Sequence, residues 1–255
     1  MVILSDKEQN ARDKLCLPLD LKYLEEARRL VKELSPYVGL FKVGMELFAA
    51  VGSEAIDMVH DEDSKVFLDL KYKDIPNTVK GAARVAASYG VYMFSLDTDG
   101  GTTMMKSAVD GVREAVARYG WSSAEIPKIL GVTVLTSIDD NILQNELRVP
   151  YSVTDQVLHS ARLANQSGLD GIVCSAVDLH AVRYHLRKDF MYVTPGIKAP
   201  VSGIVGDDQR RVFTPYNAIK GGSTILVVDR AITQPPDGDR QKAAYEVLQD
   251  MVRAL

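Results

Sequence analysis

The sequence predicts an α/β protein, a single-domain (β/α)8 barrel, and three observations predict it. Short apolar runs alternate with helical patterns eight times along the chain, and strands alternating with helices of this length build a parallel sheet buried on both faces. The length, 255 residues, suits a barrel of this kind, which takes about 250. No G-x-G-x-x-G follows the first apolar run, so the competing fold, a doubly wound open sheet with a dinucleotide crevice, lacks its motif.

Taken in order, residues 1–13 form a polar arm, with a short helix expected between Ser5 and Lys14. The first strand lies in Lys14–Asp20 and is followed by a helix over 23–34, whose apolar positions Leu24, Ala27, Leu30 and Val31 keep helical spacing. The same pairing recurs as strand 38–43 with helix 46–59, strand 65–70 with helix 76–88, and strand 91–96 with helix 104–119. The second half continues with strand 128–135, a short inserted helix over 140–146 and a long helix over 153–167. Strands 171–174 and 191–194 flank a helix at 179–186, strand 223–228 is the eighth, and a helix over 241–255 closes the fold.

Composition narrows the class. With 46% hydrophobic and 25% charged residues, the chain can bury a sizeable core and is ordinary for a globular protein. A net charge of −4 with no basic cluster argues against nucleic-acid binding, which calls for a basic face. Cys16 and Cys174 each lie in an apolar stretch, far apart, and read as reduced core residues of a cytoplasmic protein. No run of eighteen apolar residues and no charged-then-apolar leader is present, so neither membrane spanning nor secretion is expected. The four histidines, His60, His159, His180 and His185, are scattered and suggest no metal site.

The stretch that organises the chain is Phe67-Leu68-Asp69-Leu70-Lys71-Tyr72-Lys73-Asp74-Ile75-Pro76-Asn77-Thr78. With a period of two, Asp69 and Lys71 share one face of the third strand while Leu68, Leu70 and Tyr72 take the other. Buried charges cost several kcal/mol each unless paired, so an acid and an ammonium at alternate positions of an apolar strand line a polar pocket. Asp74 breaks the parity and falls past the strand, where it is placed to cap the helix that Pro76 starts.

Active sites of such barrels sit at the carboxyl ends of the strands. The first four strands end in Asp20, Lys42, the Asp69–Lys71 pair and Asp97. A lone strand-end Asp is more often a helix cap, but four polar strand ends in succession point to a site. After the seventh strand, Pro195-Gly196-Ile197-Lys198 opens a Gly- and Asp-rich loop over about 196–211, and long loops in compact barrels are usually functional. Asp229 and Arg230 end the eighth strand. Loops after strands seven and eight are the common phosphate site of barrels, and Arg230 can grip a phosphate bidentately.

The run D-x-K-x-x-D-I-P-N-T over Asp69–Thr78 resembles the orotidine 5′-phosphate decarboxylase family, and the resemblance extends from Leu15 to about Thr233. The related sugar-phosphate decarboxylases share D-x-K-x-x-D but lack the I-P-N-T continuation. By this resemblance Asp20 binds the ribose hydroxyls and Lys42 contacts both the ribose and Asp20. Asp69 is the acid facing the substrate and Lys71 the proton donor. Asp74, Ile75 and Thr78 are lent to the neighbouring subunit's site in a homodimer. Thr136 and Ser137 match the segment that hydrogen-bonds the pyrimidine; read without the resemblance, they are a Thr/Ser turn ending a strand. The loop opened by Pro195 matches the lid, with Gln209 bridging base and phosphate. Two positions depart from the family pattern: Asp229 stands where Gly is usual, beside the phosphate, and Ser95-Leu96-Asp97 stands where the fourth strand usually reads V-H-A.

The resemblance implies decarboxylation of orotidine 5′-phosphate to UMP with no cofactor and no metal. Neighbouring carboxylates favour the charged form of Lys71, which can then stabilise and protonate the carbanion left by carbon dioxide. Preorganised charge is the main catalytic resource expected, with phosphate and ribose contacts supplying binding energy. Two alternatives compete: a metal-using sugar-phosphate decarboxylase of the same superfamily, against which stand the I-P-N-T run and Gln209, and a non-catalytic nucleotide-binding barrel, against which stands the array of Lys42, Asp69, Lys71 and Asp74.

Overall fold

A computed structural model describes residues 3–122, 125–198 and 213–255. Eight parallel strands close into a barrel in the order β1-β2-β3-β4-β5-β6-β7-β8. They are β1 Leu15–Pro18, β2 Leu40–Gly44, β3 Lys65–Tyr72, β4 Met93–Asp97, β5 Lys128–Val132, β6 Gly171–Val173, β7 Met191–Thr194 and β8 Ile225–Val227. The helices, among the described residues, are α1 Asp6–Arg12, α2 Leu24–Leu34, α3 Met45–Val51, α4 Glu54–His60, α5 Pro76–Ser88, α6 Gly101–Tyr119, α7 Val153–Gln166, α8 Ala176–Val182, α9 Pro215–Gly221, α10 Arg230–Thr233 and α11 Arg240–Val252.

The chain divides into two compact units, Met1–Val66 with Val193–Leu255, and Phe67–Tyr192. In the first, β1 pairs with both β2 and β8, Cys16 facing Leu40 on one side and Val227 on the other. Every residue of β1 is buried, as expected of a parallel strand covered on both faces. The arm does form a helix: Ser5 and Glu8 make a reciprocal capping box, and Glu8 also accepts from Gln249 of α11 at 2.5 Å. In the second unit β4 lies between β3 and β5, with Phe94 and Leu96 fully buried and α5 packed along α6.

Several expected boundaries move, each for a physical reason. The single helix expected over 46–59 is two, because Gly52 takes φ +67° at the end of α3, a conformation open to glycine and costly for other residues. The fifth strand stops at Val132 rather than 135; beyond it the chain turns, with Ile138 N–H donating to the Leu135 carbonyl. The inserted helix is a single π-turn, Ile142–Glu146. Helices α9 and α10 lie where the sequence pattern shows none, being too short to display helical periodicity. Cys16 and Cys174 are both buried, and neither is in a disulfide. No helix among the described residues is long and apolar enough to cross a membrane.

Candidate active site

Two groups of polar side chains are built at strand ends, one in each unit. In the first unit a cavity of about 660 Å³ is lined by Asp20, Lys42, Pro195, Asp229 and Arg230, among others. Lys42 projects from β2, its side chain only 14% exposed, and its Nζ lies 3.3 Å from Asp20 Oδ1 just beyond β1. Arg230 does not end the eighth strand as expected; it is the first residue of α10. Asp229 precedes that helix, and its carboxylate is turned back to accept from Thr233 Oγ1 at 3.1 Å.

The second group stands on β3 and β4. Asp69 is 8% exposed, and its Oδ2 accepts from Lys71 Nζ at 2.8 Å. The side chains meet as the alternation of a strand predicts, but the backbone between them is irregular. Leu68 pairs with Phe94 and Tyr72 with Leu96, so four steps along β3 run against two along β4. Lys71 takes φ +51° within this bulge, and its N–H donates to Ser95 Oγ at 3.0 Å rather than into a regular ladder. The Ser95 hydroxyl donates in turn to Asp69 Oδ1 at 2.7 Å. The sequence carries one signal for Ser95, a polar residue between Phe94 and Leu96 on a buried strand.

Beside this pair, Lys73 Nζ lies 2.5 Å from Asp99 Oδ2, and the ion pair raises the pKa of Lys73. Burial, with Asp99 close by, pushes the Asp97 carboxyl up to about 6. Burial likewise pushes the Tyr72 phenol up to about 12.

Asp74 does not cap α5. The N-cap is Ile75, without a side-chain hydrogen bond, and Asp74 Oδ1 instead accepts from the N–H of Ile75 at 2.6 Å. Pro76 has the early-helix place expected of it. Asp74, Ile75 and Thr78 are all exposed, Ile75 by 68%. Thr136 and Ser137 lie in an exposed turn, as their reading without the resemblance expects, but the strand before it ends earlier, at Val132. Gln209 and most of the expected lid, 199–211, lie outside the described residues. Among the described residues no group of three or more His, Cys, Asp or Glu side chains is placed to hold a metal ion.

The profile of the Orotidine 5'-phosphate decarboxylase / HUMPS family matches residues 13–246. The chain belongs to this family. An orotidine 5'-phosphate decarboxylase of Moorella thermoacetica is 42% identical over 228 residues, covering 89% of this chain and 88% of that protein. One from Syntrophus aciditrophicus is 41% identical over 255 residues, covering 99% of this chain and 97% of its own. Among solved structures, an orotidine 5'-phosphate decarboxylase of Lactobacillus acidophilus superposes with a TM-score of 0.79 at 36% identity, covering 93% of this chain and 98% of that one. The family assignment agrees with the resemblance carried by Asp69–Thr78 and with the barrel built from the eight strands.

Proposed function

We propose that this chain decarboxylates orotidine 5′-phosphate to UMP and carbon dioxide, without a cofactor. The observation that carries the reading is the Lys71–Asp69 pair, 2.8 Å apart and largely withdrawn from solvent, in a chain about as similar to named decarboxylases as 42% identity. On this reading Asp69 faces the substrate carboxylate, and their repulsion is relieved as the bond from that carboxylate to the pyrimidine carbon breaks. The electron pair stays on the ring carbon, where the Lys71 ammonium stabilises it and then delivers its proton, giving UMP. Fixed charge held in place before the reaction is worth more than the same charge free in water.

The remaining residues bind. Asp20 and Lys42 hold the ribose hydroxyls, Arg230 takes the phosphate, Thr136 and Ser137 contact the base, Gln209 bridges base and phosphate, and Pro195 opens the lid. Binding energy from these remote groups supports the step at the ring carbon. The same reading makes the working unit a cytoplasmic homodimer, with Asp74, Ile75 and Thr78 serving the partner's site.

Incubating the purified protein with orotidine 5′-phosphate and EDTA, and following ultraviolet absorbance, tests the reading. Conversion to UMP at a rate unchanged by EDTA is expected. An unchanged spectrum refutes the decarboxylase, and turnover that EDTA abolishes refutes cofactor independence.

A further inference from the structure

Ser95 is 0% exposed, and a buried hydroxyl must find partners or cost stability. Its partners are unusual in being two parts of the catalytic pair. The bulge in β3 takes the Lys71 N–H out of the regular ladder with β4, and the Ser95 oxygen accepts it at 3.0 Å. A serine hydroxyl has one proton to give, and here it goes to Asp69 Oδ1 at 2.7 Å. Asp69 Oδ2 accepts from Lys71 Nζ at 2.8 Å. These three hydrogen bonds, with the Lys71 side chain itself, close a ring: backbone of Lys71, hydroxyl of Ser95, carboxylate of Asp69, ammonium of Lys71.

We infer that Ser95 is a positioning residue for the decarboxylation, orienting the Asp69 carboxylate and holding the Lys71 backbone in its left-handed turn. The inference rests on the decarboxylase reading above. Neither oxygen of Asp69 can rotate without breaking a hydrogen bond, and the ammonium is held at its stem and at its tip. Ser95 acts through these two groups and touches no reacting atom, so its removal changes how well the pair is aimed rather than how tightly substrate is held. A misplacement of about 1 Å costs on the order of a hundredfold in rate, and a hydrogen bond to a charged group is worth roughly ten- to a hundredfold.

The test compares the parent with Ser95→Ala and Ser95→Thr in steady-state decarboxylation, with UMP affinity by calorimetry and melting temperature measured on each. Ser95→Ala is expected to lose about ten- to a hundredfold in kcat with KM and UMP affinity within about threefold. Ser95→Thr, which keeps the hydroxyl and suits a strand, is expected to recover most of kcat. Should Ser95→Ala not fold, Ser95→Cys takes its place, its thiol being a weaker donor, with about a tenfold loss in kcat expected. Unchanged kcat in the variant lacking the hydroxyl, or a loss that falls in KM and UMP affinity alone, overturns the inference. An inactive parent refutes the decarboxylase reading and the inference with it, whereas an active parent matched by Ser95→Ala refutes the inference only.

Discussion

Lys71 Nζ reaches Asp69 Oδ2 at 2.8 Å from a backbone turned to φ +51°. A side chain in this left-handed region costs roughly 1–2 kcal/mol, and residues so placed cluster where function holds them. Replacing Lys71 by glycine relieves that cost, offset in part by glycine's freedom in the unfolded chain, while alanine retains it. Lys71→Gly is therefore expected to melt about 1–3 °C above Lys71→Ala. Calorimetry on the two inactive variants checks it, and a glycine variant melting well below the alanine one argues against a strained turn.

The raised pKa of Asp97, about 6, makes stability depend on pH. An acid whose pKa rises on folding takes up protons on folding, so its contribution falls as pH climbs from about 4 to about 6 and is level above. Burial is the first cause, ahead of Asp99, and Asn carries no charge to bury. Asp97→Asn should raise the melting temperature by about 2 °C at pH 7.5, a penalty discounted for partial exposure. Near pH 4 the gain should vanish. A shift of equal size at both pH values would show that the charge of Asp97 is not what matters.

By the sequence resemblance Asp229 stands where Gly is usual, yet its carboxylate is tied to Thr233 Oγ1 at 3.1 Å. It lines the same cavity as Arg230. Held by Thr233 and only partly buried, it acts on a bound phosphate nearer the water-like end of the Coulomb range, about 1 kcal/mol at 4 Å. Asp229→Gly is expected to lower KM for orotidine 5′-phosphate by roughly fivefold and to leave affinity for the phosphate-free nucleoside nearly unchanged. Calorimetric titration of both ligands decides it: equal gains for the two would show that Asp229 acts on something other than phosphate.

Exposed Asp74, beside the 68% exposed Ile75, is read as a group lent across a dimer. Mixing inactive Lys71→Ala with inactive Asp74→Ala should then restore activity, since one site of each mixed dimer inherits both native residues. About a quarter of the parental activity is expected if subunits exchange at random, half of all dimers being mixed with one good site each. No recovery under demonstrated exchange would place Asp74 in its own subunit's site.

How legible the chain was follows from what each signal depends on. The eight strands were readable because buried parallel strands are continuous apolar runs, and long helices such as α7 show their period. The Asp69–Lys71 pair was readable because alternation put both on one face. The bulge between them was not, since it depends on how β3 registers against Leu96 of β4, a tertiary relation that no local pattern carries. The same holds for Ser95, whose partners lie 24 and 26 positions away in the chain. Thr136 and Ser137 were placed too near the strand because the apolar run continues to Leu135 while the ladder ends at Val132. Asp74 looked like a cap because caps favour Asp; the chain places Ile75 at that position instead.

The central claim is that the Lys71 ammonium, paired with Asp69 at 2.8 Å, both stabilises and protonates the carbanion. The measurement is kcat for orotidine 5′-phosphate with the parent and with Lys71→Ala, each checked for fold by circular dichroism. Loss of a general acid alone costs about 10²–10⁴-fold, and loss of the electrostatic stabilisation adds to it, so the variant should fall by at least that much while still melting cooperatively. A folded Lys71→Ala protein that kept half the parental kcat would contradict the account.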